Sequence, residues 1–392
     1  TATFLASLVV LAPGILPASG GPARLSQARP NVVLVMTDDQ GYGELSCHGN
    51  PLLKTPHLDR LHAASARFVD FTVSPTCSPT RAALFTGRHE FRSGITHTIY
   101  ERERLSPAAT TLPELLRQAG YTTGIFGKWH LGDEPDRRPD RRGFDETFIH
   151  GAGGIGQTFP GSCGDAPDNG YFDPVILHNN RFVKTRGYCT DVFFSQALAW
   201  INRCRQSNRP FFAVITPNAP HDPFISPGPE YEAAFEGLGL GTNTVRYYSM
   251  IRNIDDNMGR LLDQLASWGL EESTLVIFMT DNGHSVPDAY NAGMRGAKGT
   301  PWRGGTRVPS FWRWTGTIPP GDRRQAAAHL DVLPTLLDLA GTKAPAAVRR
   351  KLEGRSLVPV GEGSVRVIGS SPSGGGGPPS TQSTHPRSPH RP

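Results

Sequence analysis

The sequence contains few lysines, few cysteines and only one long apolar run. Forty of its 392 residues are lysine or arginine, but only six of these are lysine. A lysine inside a chemical motif is therefore more informative here than in an average chain. The formal net charge of +5 predicts only a mild attraction to anions. The basic residues form no stripe interleaved with aromatic residues, so the sequence does not favour a nucleic-acid partner.

The one long apolar run spans residues 4–16, near the start of the chain. It is too short to cross a bilayer, and the small residues Ala18, Ser19 and Gly20 follow it. This order is typical of a secretory signal and its cleavage region. We interpret residues 1–28 as a signal-like leader, and an ordinary buried segment is the alternative. We expect a periplasmic or secreted protein that makes no membrane contact after cleavage.

The five cysteines are an odd number, so at least one of them is unpaired. If Cys77 is reserved for chemistry, the remaining Cys47, Cys163, Cys189 and Cys204 allow three disulfide pairings. An exported protein can form such bonds. Buried free thiols are an equally good interpretation, and the sequence does not choose between them.

Short apolar runs alternate with helical segments over residues 29–360, which predicts one α/β catalytic domain. Residues 32–36 are apolar throughout, as expected for a central strand buried on both faces. Further strands are predicted to end at residue 126 and to span residues 211–215 and 275–279. We expect a large, mixed, mostly parallel sheet flanked by helices. Residues 361–392 are rich in Gly, Ser and Pro, which predicts a disordered tail.

Two helices have clear sequence signals. Thr111 and Glu114 have the spacing of a capping box, and Gly120 marks the end of that helix. The longest helix is predicted over residues 247–269, where apolar residues recur at helical spacing. Met258 lies on that apolar side, so we assign it to the core.

Polar side chains follow each of the four predicted strands. In open α/β sheets, ligands bind at the carboxyl ends of the strands, so these residues are expected to share one pocket. The residues that follow the strands in turn are Asp38 and Asp39, Lys128 and His130, His221, and Asp281 and Asn282.

The pocket contains four side chains that offer oxygen atoms, namely Asp38, Asp39, Asp281 and Asn282. Oxygen ligands suit a hard cation such as Ca²⁺ or Mg²⁺ better than Zn²⁺. Adjacent carboxylates repel each other unless a cation lies between them. A single Asp-Asp or Asp-Asn pair is usually a solvated turn, but two such pairs that each end a buried strand favour a metal site.

Two further segments carry candidate catalytic residues. Cys77 begins a predicted helix that ends at Gly87, and the amino terminus of a helix favours an anion. Arg81 lies one turn further along the same face. The third candidate is Lys298, in the glycine-rich segment 296–309, where it can act as a point charge for an oxyanion.

These motifs resemble those of the sulfatase family, which has the alkaline-phosphatase-like fold. The segment 77–81 looks like the family signature C-x-P-x-R, and 127–132 looks like its second signature. The family's other motifs occur here in the same order, namely the pairs at 38–39 and 281–282, the histidine at 221 and the lysine at 298. Within the family, the sequence looks closer to arylsulfatases and N-acetylgalactosamine-6-sulfatase-like enzymes than to phosphatases.

The resemblance implies hydrolysis of an aryl or carbohydrate sulfate ester. A formylglycine-generating enzyme would oxidise Cys77 to formylglycine, whose hydrated aldehyde attacks sulfur and forms a sulfated intermediate. Arg81 would hold the nucleophile, Lys128 and Lys298 would bind the sulfate oxygens, and Ca²⁺ is the implied metal, with Mg²⁺ less favoured. The resemblance assigns the metal ligands to Asp38, Asp39, Cys77, Asp281 and Asn282. It implies that His221 protonates the leaving oxygen and that His130 is the base that releases sulfate.

Two alternatives remain open from the sequence. The first alternative is a phosphodiesterase or phosphonate monoester hydrolase, because relatives of the same fold cleave phosphorus esters. The second alternative is an inactive binder of sulfated glycans, because the small carboxy-terminal subdomain of the family is expected to be truncated here. Arg303 stands where many relatives have Glu, which predicts either a moved salt bridge or positive charge near the substrate.

Overall fold

The computed structural model describes residues 29–157, 165–166, 168–207, 209–358, 360–361 and 364–365. The strands are β1 (Asn31–Thr37), β2 (Ala66–Phe68), β3 (Phe71–Thr72), β4 (Thr122–Lys128), β5 (Glu146–His150), β6 (Val175–His178), β7 (Arg181–Lys184), β8 (Phe211–Thr216), β9 (Thr274–Thr280), β10 (Arg307–Val308), β11 (Ser310–Arg313), β12 (Gly321–Arg323), β13 (Ala327–Ala328), β14 (Val360–Gly361) and β15 (Ser364–Val365). The α-helices are α1 (Pro56–Ala63), α2 (Cys77–Thr86), α3 (Leu112–Gln118), α4 (Cys189–Cys204), α5 (Pro229–Glu232), α6 (Thr242–Ser267), α7 (Arg303–Thr306), α8 (Val332–Leu339) and α9 (Ala346–Arg349).

The main sheet has ten strands in the order β12-β2-β11-β9-β1-β8-β4-β5-β6-β7. Its centre, β9-β1-β8-β4-β5, is parallel throughout, and β11, β6 and β7 add antiparallel pairs on the two sides. All four predicted strands are present, and they are the four central neighbours β9, β1, β8 and β4. The prediction of a large mixed sheet is confirmed.

Helices cover both faces of the sheet. The side chains of β1 point alternately to the two faces, so they pack in two separate cores. Val32, Leu34 and Met36 pack in the core that contains α2, α3 and α8. Val33 and Val35 pack in the opposite core, with α1, α4 and α6. A strand buried on both faces needs the continuous apolar run that the sequence shows.

The two helices with clear sequence signals are α3 and α6, and the helix predicted from Cys77 to Gly87 is α2. The Glu114 carboxylate accepts a hydrogen bond of 2.8 Å from the backbone N–H of Thr111, as a capping box requires. Helix α6 begins at Thr242, five residues before the predicted start, and Met258 is fully buried in the core.

Several predictions concern residues outside the described part of the chain, including the leader 1–28, Cys163 and nearly all of the tail 361–392. Among the described cysteines, Cys47, Cys189 and Cys204 are free thiols, which agrees with the second interpretation of these residues. Within the described residues, no helix combines the length and the hydropathy needed to cross a membrane.

Candidate active site

The predicted site residues meet at the carboxyl edge of the parallel strands. Asp38 and Asp39 directly follow β1, Lys128 is the last residue of β4, and Asp281 directly follows β9. All four side chains are fully buried. Because neighbouring parallel strands end at one edge, residues from positions 38 to 281 come into hydrogen-bonding contact there.

Each of the two adjacent aspartates has its own lysine. Lys128 Nζ lies 2.6 Å from Asp38 Oδ2, and Lys298 Nζ lies 2.6 Å from Asp39 Oδ2. The side-chain amide of Asn282 donates to Asp39 Oδ1 at 2.9 Å. Charge-assisted hydrogen bonds of this length hold both carboxylates in place.

The pKa values of the two aspartates move in opposite directions. Burial raises the pKa of Asp38 well above its ordinary value, although Lys128 opposes the shift. Burial also raises the pKa of Asp39, but His221 and Lys298 together outweigh it and hold that pKa below its ordinary value. Asp39 is therefore ionised, and Lys298 and His221 stabilise its negative charge.

Arg81 joins helix α2 to two of the strand ends. Its guanidinium donates to Asp281 Oδ2 at 2.8 Å and to the backbone carbonyl of Lys128 at 3.0 Å, and it lies 3.7 Å from Asp38 Oδ1. Every residue of α2 is buried, so these contacts are shielded from water. Arg81 thereby fixes the position of the helix whose first residue is Cys77.

Two glycines make the close packing around the site possible. A Cβ on Gly283 would lie 1.8 Å from the carbonyl oxygen of Gly304, so the chain after Asn282 packs directly on the glycine-rich segment. A Cβ on Gly127 would lie 2.0 Å from the carbonyl oxygen of Thr216, at a φ of +123°. These positions tolerate only glycine: Gly127 allows the close approach of β4 to β8, and Gly283 allows that of the chain after Asn282 to the glycine-rich segment.

Cys77 and His221 share the pocket with the two aspartates. One ligand atom from each of Asp38, Asp39, Cys77 and His221 lies within 4.8 Å of the others. Burial lowers the pKa of His221, but Asp39 and Asp38 outweigh it and raise the pKa to about 9. Its Nδ1 lies 2.7 Å from the carbonyl oxygen of Asp222, which indicates that Nδ1 carries a proton.

The thiol of Cys77 lies in an electropositive environment. Burial raises its pKa, but Lys128 and Lys298 outweigh the burial and lower the pKa to about 7. Lowered thiol pKa values are typical of reactive cysteines near cationic groups and helix amino termini. This distinguishes Cys77 from Cys189 and Cys204, whose pKa values are raised, chiefly by burial.

The predicted base His130 is held by a segment that sequence reasoning missed. Its Nε2 lies 2.8 Å from the carbonyl oxygen of Thr98 and 3.6 Å from Glu103 Oε2. Nδ1 is buried and has no hydrogen-bond partner among the described residues. Burial and the charge of Lys128 lower the pKa of His130 to about 4. A neutral imidazole with a free lone pair on Nδ1 has the form that a general base needs.

No sequence signal pointed to Thr98 or Glu103, because a backbone carbonyl and an acidic residue at the end of a short 3₁₀ helix carry no motif. Tyr247 was also missed as a contact to the site. It was predicted only as the first residue of a helix, yet its hydroxyl donates to the backbone carbonyl of Asp39 at 2.8 Å. Asp39 itself has a φ of +63°, which is unusual for a residue with a side chain and common at functional sites.

The donor set fits a hard cation. Asp38 Oδ1 and Asn282 Oδ1 are buried oxygens without a hydrogen-bond partner among the described residues. Asp281 Oδ1 accepts from the backbone N–H of Asp39 at 3.1 Å, so the three strand-end carboxylates lie close together. Buried oxygens without partners are costly unless a cation or another polar group satisfies them.

The chain and its fold match those of known sulfatases. Residues 30–342 match the profile of the family described as Sulfatase. The chain belongs to the sulfatase family. It is 34% identical over 373 residues to N-acetylgalactosamine-6-sulfatase of Canis lupus familiaris, covering 90% of this chain and 69% of the relative. It is 34% identical over 361 residues to arylsulfatase A of Homo sapiens, covering 86% and 69%.

A solved structure supports the same assignment for the fold. The crystal structure titled "Ps i-CgsB in complex with k-i-k-neocarrahexaose" superposes on this sulfatase with a TM-score of 0.75. The two chains are 28% identical, and the match covers 84% of this chain and 75% of the other. The resemblance drawn from the sequence motifs is therefore confirmed, both for the family and for the alkaline-phosphatase-like fold.

Arg303 of this sulfatase pairs with an acidic residue at the surface. The guanidinium of Arg303 lies 3.1 Å from Asp70 Oδ1, and both side chains are largely exposed. The residue therefore forms a surface salt bridge, which is the first of the two expectations for this position. Such exposed pairs contribute little to stability.

Proposed function

We propose that this sulfatase hydrolyses sulfate esters of aryl or carbohydrate alcohols, and that residue 77 carries the nucleophile. The observation that supports this most strongly is the position of Cys77. It begins a buried helix, beside two lysines and within 4.8 Å of ligand atoms of Asp38, Asp39 and His221. A small tetrahedral anion bound there would meet cationic groups and the amino terminus of α2.

Formylglycine derived from Cys77 would supply a hydrated aldehyde, whose hydroxyl is the nucleophile. A formylglycine-generating enzyme is the partner that this maturation requires. Arg81 is fixed by Asp281 and by the Lys128 carbonyl, so its role is to orient the helix start and the nucleophile against the metal ligands. Orientation of this kind lowers the entropic part of the barrier.

The cationic side chains have distinct roles in the proposal. Lys128 and Lys298 bind the sulfate oxygens and offset the negative charge that develops in the transition state. His221 is protonated at neutral pH because its pKa is raised to about 9, so it can give a proton to the leaving alcohol oxygen. His130 is neutral and takes the proton whose removal releases sulfate.

Calcium is the metal that we propose, held by Asp38, Asp39, Asp281, Asn282 and residue 77. Four of these offer oxygen atoms, and calcium accepts six to eight oxygen ligands. A bound cation would supply Lewis-acid stabilisation of a sulfate oxygen. Chelator treatment should abolish hydrolysis, and Ca²⁺ should restore it better than Mg²⁺. Equal or better recovery with Mg²⁺ alone would contradict the calcium assignment.

The substrate is proposed to be a sulfated small molecule or a sulfated glycan. One relative is named as an N-acetylgalactosamine-6-sulfatase, and one structural neighbour is titled as an oligosaccharide complex. We also propose that residues 29–360 form the catalytic domain, that residues 1–28 are a leader, that residues 361–392 form a disordered tail, and that the protein acts in the periplasm or outside the cell.

The sulfate assignment is tested with matched nitrophenyl esters of sulfate and phosphate. We expect kcat/KM for the sulfate ester to exceed that for the phosphate ester by at least about tenfold, which corresponds to about 1.4 kcal/mol. A preference for the phosphate ester would support the phosphodiesterase or phosphonate hydrolase alternative instead. Binding of a sulfated glycan without turnover of either ester would support the inactive binder.

A further inference from the structure

A second group of metal-ligating side chains lies outside the active site. It consists of Cys47, His48 and His62, and one ligand atom from each lies within 4.8 Å of the other two. Cys47 and His48 belong to the short 3₁₀ turn 46–48 after β1, and His62 lies in the last turn of α1. None of the three is among the side chains assigned to sulfate ester hydrolysis above.

His48 has the tautomer and the rigidity of a metal ligand. Its Nδ1 lies 2.7 Å from the backbone carbonyl oxygen of Tyr42, so Nδ1 donates and the lone pair is on Nε2. The ring stacks on Tyr42 with a centroid distance of 3.9 Å and an interplanar angle of 14°. Histidines that bind metals usually donate their second nitrogen to a carbonyl oxygen in this way.

His62 and Cys47 supply the other two ligand atoms. Metal binding at His62 would not break a hydrogen bond of its ring. Within the described part of the chain, neither ring nitrogen of His62 has a hydrogen-bond partner. The ring is held by edge contacts to Phe311 at 5.1 Å and to His48 at 5.7 Å. The backbone N–H of Cys47 donates to Asp59 Oδ1 at 2.9 Å, which fixes the turn that carries the thiol.

The three side chains line one cavity of about 440 Å³. Arg67 and Asp322 form an ion pair of 2.7 Å in its wall. The Asp322 side chain is partly exposed, so the cavity is reached from solvent. A metal ion held by three protein ligands would therefore keep a position open toward the cavity, where water or a small ligand can bind.

We propose that Cys47, His48 and His62 bind a soft divalent transition metal, with Zn²⁺ as the best fit. One thiolate and two imidazoles suit Zn²⁺ and exclude Ca²⁺, which requires oxygen ligands. Tetrahedral zinc with bonds of about 2.0–2.3 Å places its ligand atoms roughly 3.3–3.8 Å apart. The ligand atoms of Cys47, His48 and His62 lie within 4.8 Å of one another, a limit that includes these separations.

The proposal is tested with Co²⁺, which replaces Zn²⁺ and reports a thiolate ligand through a sulfur-to-cobalt charge-transfer absorption band. Chelator-treated protein, with Ca²⁺ added back to fill the active site, is titrated with Co²⁺, and the band should saturate at one equivalent. It should disappear in Cys47→Ser. It should remain in Cys204→Ser, a control variant that removes another free thiol, and in Cys77→Ser, which removes the thiol of the active site.

His62→Gln provides the second measurement, because this side chain is only partly buried and its loss does not threaten the fold. We expect the Zn²⁺ affinity of this variant, measured by competition against bound Co²⁺, to fall at least about tenfold, since even an outer-shell partner costs about 10–100-fold. Hydrolysis of a sulfate ester should be unchanged in Cys47→Ser. A band that persists in Cys47→Ser, that disappears in Cys77→Ser, or that is absent from the unaltered protein would overturn the proposal.

Discussion

Lys298 Nζ lies 2.6 Å from Asp39 Oδ2, although the two residues are 259 positions apart in the sequence. Burial lowers the pKa of Lys298, but Cys77 and Asp39 outweigh it and raise the pKa above its ordinary value. The lysine is therefore a fixed positive charge beside both Asp39 and Cys77. Its side chain keeps 24% of its surface exposed, whereas Asp39 is fully buried, so the lysine links the buried site to solvent.

Replacement of Lys298 should damage catalysis far more than folding. We expect Lys298→Ala to lower kcat by about 10²–10³-fold, because one preorganised contact to the developing charge is lost. Lys184→Ala removes an exposed lysine of β7 and should leave kcat unchanged. Steady-state kinetics on a nitrophenyl sulfate compare the two variants. A loss below about threefold in Lys298→Ala would show that this lysine does not contact the transferred group.

The role of His130 predicts a defect in one step of the reaction. If its neutral Nδ1 takes the proton that releases sulfate, His130→Ala should slow that step and let residue 77 accumulate in a sulfated form. Mass spectrometry of the peptide that contains residue 77, taken during turnover, checks this. His178→Ala, at a partly exposed histidine paired with Glu146, is the control and should show no adduct. Absence of the adduct in His130→Ala would remove the base assignment.

Buried neutral histidines predict a loss of stability in acid. Burial lowers the pKa values of His130 and His329 to about 4, and that of His150 well below its ordinary value. The unfolded chain protonates its histidines near pH 6.5, so it gains protons first as the pH falls. The contribution of these three histidines to the free energy of unfolding should therefore be fully present above about pH 6.5 and should decrease as the pH falls toward 4.

His150 is the sharpest test of this acid dependence. Its ring is fully buried, packs against Phe193, and has no hydrogen-bond partner on either nitrogen among the described residues. His150→Phe should flatten the decline of the unfolding midpoint between pH 6.5 and 4. His97→Gln, at an exposed histidine, should leave the decline as it is. Thermal unfolding followed by circular dichroism measures both, and an unchanged slope in His150→Phe would contradict the argument.

The centre of the sheet could be predicted because a strand buried on both faces has to be apolar throughout. Residues 32–36 and 275–279 show this run, and they became neighbours in β1 and β9. The outer strands had no such signal. Strand β12 contains Gly321, Asp322 and Arg323, and β7 is almost entirely exposed. Their pairing depends on tertiary neighbours rather than on the residues themselves.

The site was predictable for a related reason. Asp38, Asp39 and Asp281 directly follow the strands that position them, and Lys128 ends one, so sequence order indicates their spatial proximity. What the sequence could not give was the direction of each side chain. His130 turns its Nε2 toward Thr98, a residue in a loop 32 positions earlier. The second cluster was missed because His48 and His62 are not at the end of any predicted strand, and each alone resembles an ordinary core residue.

The central claim is that residue 77 carries the nucleophile for sulfate ester hydrolysis. The most direct test is hydrolysis of a nitrophenyl sulfate by protein produced together with a formylglycine-generating enzyme, beside the Cys77→Ala variant produced in the same way. The account predicts turnover by the matured protein and none above background in Cys77→Ala. Turnover that persists in Cys77→Ala, or no turnover once conversion of Cys77 is confirmed by mass spectrometry, would contradict it.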